Sequence, residues 1–382
     1  MIYLDNAATT RPFDEVIAEM DTLQKEHYAN PASMHLAGYE AEKKVNAAHD
    51  FALSSIGAKA GTFLFTSGGT ESNNLAFFGT LKSALKRNPH IITTKIEHPS
   101  VLEPLAFLEE HGAKVTYVGV DSRGFVYPDE VADAVTEKTA LVSVMYVNNE
   151  TGAIQPISTI SKLVKAKKKD ILFHTDCVQA FGNAPIDVVK QGIDMLSLSG
   201  HKINGPKGIG GFYFSPGIHL TPAIFGGHQQ KNLRSGTLNV PGICGFAKAM
   251  ELTLKNFEEK NSRLKDLKAR LSAALSDDAL FTVNNIGEDY SPHIVSISVQ
   301  NTRAEVLLHA LEVHGICISA GSACASNHPE PSHVLTAMGY DRKTTEGTVR
   351  VSLGAFTTVE EIDVFCEYLK KEATLLSKFT RV

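Results

Sequence analysis

Met195-Leu-Ser-Leu-Ser-Gly-His-Lys-Ile-Asn-Gly-Pro-Lys-Gly-Ile-Gly-Gly211 runs from an apolar segment into Ser199-Gly200-His201-Lys202 and then into a glycine-rich turn. The apolar part, Met195–Ser199, reads as a buried strand, because both of its faces lack charge. Lys202 therefore stands just past the end of a stiff support. An amine held there can be desolvated, which lowers its pKa toward what a Schiff-base nucleophile needs. Ser199 and His201 flank it as phosphate donors. Taken alone, a lysine surfacing at a strand end is ordinary, so the surrounding chain has to decide.

Outward from this stretch, strand-like runs alternate with helical patterns. The runs are Thr62–Thr66, His90–Thr94, Lys114–Val118, 140–147, 171–175 and 211–214. Between them, residues 38–56 place Val45, Ala48, Ala52 and Ile56 on one stripe, and 100–110 and 157–166 read as further helices. Such alternation predicts an α/β sheet with helices on its faces. From about residue 252 the pattern changes. Phe257, Leu264, Leu267, Leu271 and Leu275 mark a long amphipathic helix, followed by strand-like runs at Ile294–Val299, 316–319 and 349–353. A large α/β domain over 1–257, with an N-terminal arm, and a smaller α+β domain over 258–382 are expected.

Five segments carry chemistry at predicted strand ends. Ser67-Gly68-Gly69-Thr70 opens a helix, where free N–H groups and the positive dipole end suit a phosphate; the plain alternative is a threonine cap after a glycine turn. It is neither of the familiar nucleotide loops. Ser199 to Lys202 is the second. Asp176 ends 171–175 and suits a protonated pyridine nitrogen, or simply a helix cap. His98 of Lys95-Ile-Glu-His98 can stack on a flat ring or shuttle protons, and Asn149 of Tyr146-Val-Asn-Asn-Glu-Thr-Gly152 can contact cofactor or substrate. Each has an ordinary reading, but their convergence on one sheet edge, where α/β sheets collect ligands, is much less probable by chance.

In the smaller domain, Ile318-Ser-Ala-Gly-Ser-Ala-Cys-Ala-Ser326 surrounds Cys324 with small residues, which predicts an accessible thiol. Cys324, His328 and His333 also have a loose metal-ligand spacing, but with no fourth ligand and with Pro329 and Pro331 interrupting it no metal is expected. Arg350 of Thr348-Val-Arg-Val-Ser-Leu-Gly354 has the fork that clamps a carboxylate.

Composition bounds the rest. The 382 residues are 43% hydrophobic and 21% charged, with a net charge of −5, which excludes a dedicated nucleic-acid binder. Five cysteines without a framework, no signal peptide before Asp5 and no long apolar run point to a reducing cytoplasm and no membrane. The run Lys162, Lys165, Lys167, Lys168 and Lys169 reads as a solvated helix end.

These motifs, with Tyr3-Leu-Asp-Asn-Ala-Ala-Thr-Thr10 and Asn30-Pro-Ala-Ser33, resemble the cysteine desulfurases of the NifS/IscS type over essentially the whole chain. That group belongs to the fold-type I enzymes dependent on pyridoxal 5'-phosphate (PLP). The resemblance implies a mainly parallel seven-stranded sheet and a homodimer with active sites at the subunit interface. It implies conversion of L-cysteine to L-alanine, with the sulfur left on Cys324 as a persulfide. The final acceptor would be an iron–sulfur scaffold or a tRNA-thiolating enzyme.

Residue by residue, Lys202 would hold PLP and move the Cα proton, Asp176 would pair with the ring nitrogen and Gln179 would bond the ring hydroxyl. His98 would stack on the ring. Gly69, Thr70, Ser199 and His201 would hold the phosphate, joined by Thr237 from the partner subunit; Asn149 would sit beside the cofactor and Arg350 would bind the substrate carboxylate. Three positions depart from the pattern. Gly226-Gly-His-Gln-Gln-Lys231 stands where the family usually reads Gly-Gly-Gly-Gln-Glu-Arg, Cys177 replaces a small non-thiol residue, and the tail after the last helix is short. A selenocysteine lyase, an aminotransferase of the same fold and a non-enzymatic sulfur-transfer partner are the competing readings.

Overall fold

A computed structural model describes residues 1–81, 85–321 and 331–379. Seven strands form its main sheet: β2 (Thr62–Thr66), β3 (His90–Thr94), β4 (Lys114–Val118), β5 (Thr139–Ser143), β6 (Leu172–Asp176), β7 (Met195–Ser199) and β8 (Gly210–Phe214). Their spatial order is β2-β8-β7-β6-β5-β3-β4, with only β8 antiparallel to its neighbours. The expected mainly parallel seven-stranded sheet is thus present. Every residue of β3, β7 and β8 is buried, as strands covered on both faces require.

Register sets the site. Gly210 pairs with both Thr66 and Ser199, so the ends of β2 and β7 lie level across the start of β8. A Cβ on Gly210 would fall 2.6 Å from the Gly68 Cα, so only glycine lets the turn after β2 close over this strand. Helix Gly69–Leu81 starts directly after that turn.

A second sheet has the order β12-β13-β10-β9, from β9 (Phe281–Val283), β10 (Ile294–Val299), β12 (Ser319–Ala320) and β13 (Thr348–Ser352). Its core includes Leu264, Leu267, Leu271 and Leu275 of helix Phe257–Leu275, together with Ile362, Phe365 and Leu369 of helix Val359–Ser377. Burying each of these large side chains stabilises by roughly 1.5–3 kcal/mol. The N-terminal arm divides between the two cores. Its β1 (Ile2–Tyr3) pairs with β11 (Ile316–Cys317), Leu4 joins the second core, and Thr10 donates to the His201 carbonyl in the first unit.

Two strand readings change. The run 140–147 leaves the sheet after Ser143, because Val144 to Val147 are buried as a loop beneath the site. The run 316–319 splits into β11 and β12, which belong to different sheets. The lysine run is a helix end, as expected. Lys165 pairs with Asp194 at 2.8 Å and Lys167 with Asp133 at 3.0 Å. No described helix is long and apolar enough to cross a membrane.

Candidate active site

The five strand-end motifs follow the carboxyl ends of β2, β3, β5, β6 and β7, on one edge of the sheet. At the end of β7, the Ser199 hydroxyl is buried without a hydrogen-bond partner. It lies against Gly68, whose Cβ position is 3.7 Å from Ser199 Oγ. A Cβ on Gly69 would come within 2.7 Å of Val178, so the first residue of helix Gly69–Leu81 must be bare. A buried, unsatisfied hydroxyl beside a glycine turn and a helix N-terminus fits a phosphate. Thr70 is exposed in the single chain. His201 accompanies this cradle, with Nδ1 3.2 Å from Thr9 Oγ1; burial, then Lys202 and Lys207, push its pKa down to about 4. It is therefore neutral, a hydrogen-bonding group rather than a counter-charge.

Lys202 Nζ donates to the carbonyls of Ala7 at 2.6 Å and Ala8 at 2.7 Å. The N-terminal arm, placed by β1, so steadies the amine from above. Gln179 donates from Nε2 to the same Ala7 carbonyl at 2.9 Å, while its Oε1 meets buried His293 at 3.1 Å. Asp176 lies at the end of β6 with both oxygens directed: Oδ1 accepts from Val178 N at 2.9 Å, and Oδ2 from Asn73 Nδ2 at 2.7 Å. Two donors fix the orientation of the carboxylate at this strand end, which suits a protonated ring nitrogen. His98 caps helix Pro99–Glu110 through Nδ1. Its pKa is lowered by burial first; the charges of Asp176, Lys202 and His333 all act on its ring, which places these groups together.

Arg350 on β13 is buried and bridges the two units. It donates to the Asn149 carbonyl at 2.9 Å and pairs with Asp5 at 3.0 Å, leaving its Nε without a partner. A carboxylate ligand would find this guanidinium already held by Asp5. Burial raises the Asp5 pKa against the opposing pull of Arg350 and Lys202.

Lys202, Asp176, Gln179, His98, Ser199, His201 and Gly69 are thus gathered at one edge, with Asn149 and Arg350 beside them. Thr237 is exposed, so the single chain does not bring it in. Cys324 and His328 lie outside the described residues; His333 donates from Nε2 to the Glu97 carbonyl at 2.9 Å. Cys177 is fully buried and packs as a small residue, with its thiol pKa raised by burial. Cys244 and Cys366 are buried too, each pushed up to about 11, whereas Cys317 is only half-buried.

Sequence reasoning missed Asn73, Ser100, Asp5 and His293. Asn73 carried a signal: it is a fully buried amide in a helix that otherwise buries Leu75, Ala76 and Phe77. The other three become visible only through tertiary placement.

Comparison with known proteins gives this site its family. A profile described as "Aminotransferase class-V" matches residues 2–365. The chain is 41% identical to "Cysteine desulfurase IscS" of Dictyoglomus turgidum over 374 residues, 97% of this chain and 94% of that relative. Among solved structures it is similar to a "NIFS-LIKE PROTEIN" with TM-score 0.92 and 39% identity, covering 99% of this chain and 100% of the other. It is also similar to "SspA in complex with cysteine", with TM-score 0.81 and 34% identity, covering 94% and 100% of the two chains. A site gathered at this edge of a fold shared over nearly its full length admits one family assignment: the chain belongs to the class-V aminotransferases, in the group of the NifS/IscS-type cysteine desulfurases.

Proposed function

We propose that this chain converts L-cysteine to L-alanine and passes the substrate sulfur to Cys324. The carrying observation is the buried, partnerless Ser199 hydroxyl beside Gly68 and Gly69, on the same sheet edge as Lys202 and a doubly held Asp176. Those residues fit a phosphorylated pyridine. When bound, PLP supplies the electron sink that labilises the Cα–H and Cβ–S bonds of cysteine.

The protein's own groups do the rest. Lys202 anchors the cofactor and takes or returns the Cα proton at Nζ, which the Ala7 and Ala8 carbonyls orient. Asp176 holds the ring nitrogen protonated, Gln179 faces the ring hydroxyl and His98 covers the ring. Gly69, Thr70, Ser199 and His201 hold the phosphate, with Thr237 supplied by the other subunit of a homodimer. Arg350, with Asn149 beside it, receives the substrate carboxylate in exchange for Asp5. The Cys324 thiolate takes up the sulfur as a neutral atom and becomes a persulfide. The electron pair of the broken C–S bond stays on the substrate Cβ, which gains a proton to become the alanine methyl group. Residues 1–257 carry the cofactor site and 258–382 carry Cys324. The persulfide sulfur then passes, in the cytoplasm, to a scaffold for iron–sulfur clusters or to a tRNA-thiolating enzyme.

The test is alanine release from L-cysteine by Cys324→Ala under reducing conditions. The variant should still bind PLP and L-cysteine, accumulate no persulfide and lose nearly all alanine production. Turnover at the parent rate would show that Cys324 is not the acceptor. Borohydride reduction of the yellow parent should fix the label on Lys202, and a label on any other lysine overturns that assignment.

A further inference from the structure

Asn73 and Ser100 are not among the groups to which the reaction assigns a task, yet they connect two that are. Asn73 is fully buried on helix Gly69–Leu81. One N–H of its Nδ2 points to Asp176 Oδ2 at 2.7 Å and the other to Ser100 Oγ at 2.9 Å. The amide cannot be turned over, because its carbonyl would then face the Asp176 carboxylate. Ser100 Oγ lies 2.8 Å from His98 Nδ1, and Ser100 N–H donates to the same Nδ1 at 3.1 Å. A backbone N–H can only donate, so Nδ1 carries a lone pair. The Ser100 hydroxyl, already accepting from Asn73, must then direct its own proton to Nδ1 as well. The chain of donors runs one way, from Asn73 through Ser100 to His98.

The arrangement is costly, and this too is informative. Asn73 Oδ1 is buried with no partner. A buried acceptor left unpaired destabilises, and a small apolar residue would avoid the penalty. A local rule broken inside a ligand site marks a group held for function.

We propose that Asn73 and Ser100 are positioning residues that lock His98 in its Nε2–H tautomer and tie that choice to the Asp176 carboxylate. The inference rests on the PLP-site reading above and deepens it. A second proton at Nδ1 would set an N–H against the Ser100 N–H and O–H, so the ring works as a neutral donor and not as an imidazolium. The charged and titratable groups acting on the ring are Asp176, Lys202 and His333; Asp176 favours a second proton, while Lys202, His333 and burial oppose it.

The experiment is NMR of the PLP-loaded dimer or monomer, whichever forms, with histidine labelled in 13C and 15N and His98 assigned by its loss in His98→Gln. The parent should show the neutral Nε2–H pattern for His98 on both sides of the ordinary histidine value of about 6.5. Ser100→Ala, which keeps the backbone donor, should raise the His98 midpoint by about one unit or more, since two donors to Nδ1 become one. Ser100→Thr, which keeps the hydroxyl, should restore the parent pattern. Asn73→Ala should raise the His98 midpoint and shift the visible absorption band, because Asp176 loses a donor. A parent His98 protonated on Nδ1 overturns the proposal whatever the variants do. So does Ser100→Ala or Asn73→Ala with the parent's His98 midpoint. Alanine release is measured separately, so loss of the desulfurase reading and loss of the tautomer reading are distinguishable.

Discussion

Glu97 shows how one buried group beside the site governs behaviour with pH. It is fully buried, accepts from Met145 N and Thr94 Oγ1 through Oε1, and leaves Oε2 without a partner. Burial, the largest influence, raises its pKa from 4.5 to about 8, with Asp176 adding to the rise. Between these values the folded chain binds more protons than the unfolded one. Stability from this group is therefore present at low pH and lost as pH rises from 4.5 through about 8. Glu97→Gln keeps an acceptor for Met145 and does not titrate. Relative to the parent it should gain on the order of 2 kcal/mol between pH 5 and pH 7.5, read from urea unfolding at the two values. A constant difference between variant and parent would show that Glu97 is ionised in the fold throughout. Arg350 offers a second case at this scale. Breaking its buried pair with Asp5 by Arg350→Ala leaves a carboxylate uncompensated and should cost about 3–5 kcal/mol. Arg350→Lys keeps the charge but loses the fork; it should raise KM for L-cysteine about tenfold or more while the PLP band stays in place.

Across the main sheet, His174 stitches three strands. Its Nδ1 meets Ser143 Oγ on β5 at 2.8 Å and its Nε2 meets Ser197 Oγ on β7 at 3.0 Å. Burial alone lowers its pKa from 6.5 to about 3. The unfolded chain therefore binds the proton first, and stability is lost as pH falls from 6.5 toward 3. His174→Gln should be less stable than the parent at pH 7.5, with a deficit that shrinks by about 2 kcal/mol at pH 5. This slope opposes that of Glu97 in the window both share, so only the variants separate the two. A deficit for His174→Gln that does not change with pH would show that the imidazole takes up its proton in the fold as it does in the unfolded chain. Elements of this sheet were legible where apolar runs ended in Gly, Asp or Ser: the ends of β2, β3, β4 and β7 fall where the sequence places them. Val144 to Val147 misled because they are buried past the end of β5 and keep only scattered backbone bonds, from Val144 N and Tyr146 N to β6 and a bridge between Val147 and Ile154. The split of 316–319 was hidden because two sheets use successive residues of one apolar run. Lys202, Asp176 and His98 could be named from their strand-end positions. Ser100 and Asp5 could not, because Ser100 reads as an ordinary residue of a helix first turn and the partner of Asp5 is 345 residues away; Asn73, whose partner is 103 residues away, showed only as an amide in an apolar helix.

At the scale of the molecule, the proposed site would draw on two subunits. Thr70 and Thr237 are both exposed. The segment leading to Thr237 is nonetheless fixed. Gln230 presents its amide to the edge strand β2, accepting from Phe65 N at 2.7 Å and donating to Phe65 O at 2.8 Å, as a neighbouring strand would. Arg234 pairs with Glu71 at 2.9 Å, and Glu71 in turn accepts from Ser67 N at 2.7 Å. Gln230 occupies the place where related chains usually carry Glu, and an acid could accept from Phe65 N but not donate to its carbonyl. The exposed Thr237 thus follows a segment anchored at Gln230 and Arg234. Large apolar side chains are exposed as well: Tyr28, Met34, Leu36 and Tyr39 along the segment after the first helix, and Phe225 next to the moored segment. Side chains of this kind favour a homodimer in which each Thr237 reaches the other subunit. The expected outcome is a dimer by light scattering whose affinity for PLP falls together with dimerisation. Tyr28→Asp combined with Met34→Asp should weaken the dimer and reduce PLP affinity by at least about tenfold. Thr237→Ala should leave the dimer intact and still weaken PLP by about tenfold, the effect of losing one hydrogen bond to a charged group. Mixed dimers carrying Thr237→Ala on one subunit and Lys202→Ala on the other decide the geometry. If Thr237 acts across the interface, the subunit that keeps Lys202 receives the intact threonine of the other subunit and holds its cofactor with the parent's affinity. If Thr237 serves its own chain, the subunit that keeps Lys202 carries the Thr237→Ala change itself, and its site binds PLP as weakly as the Thr237→Ala homodimer.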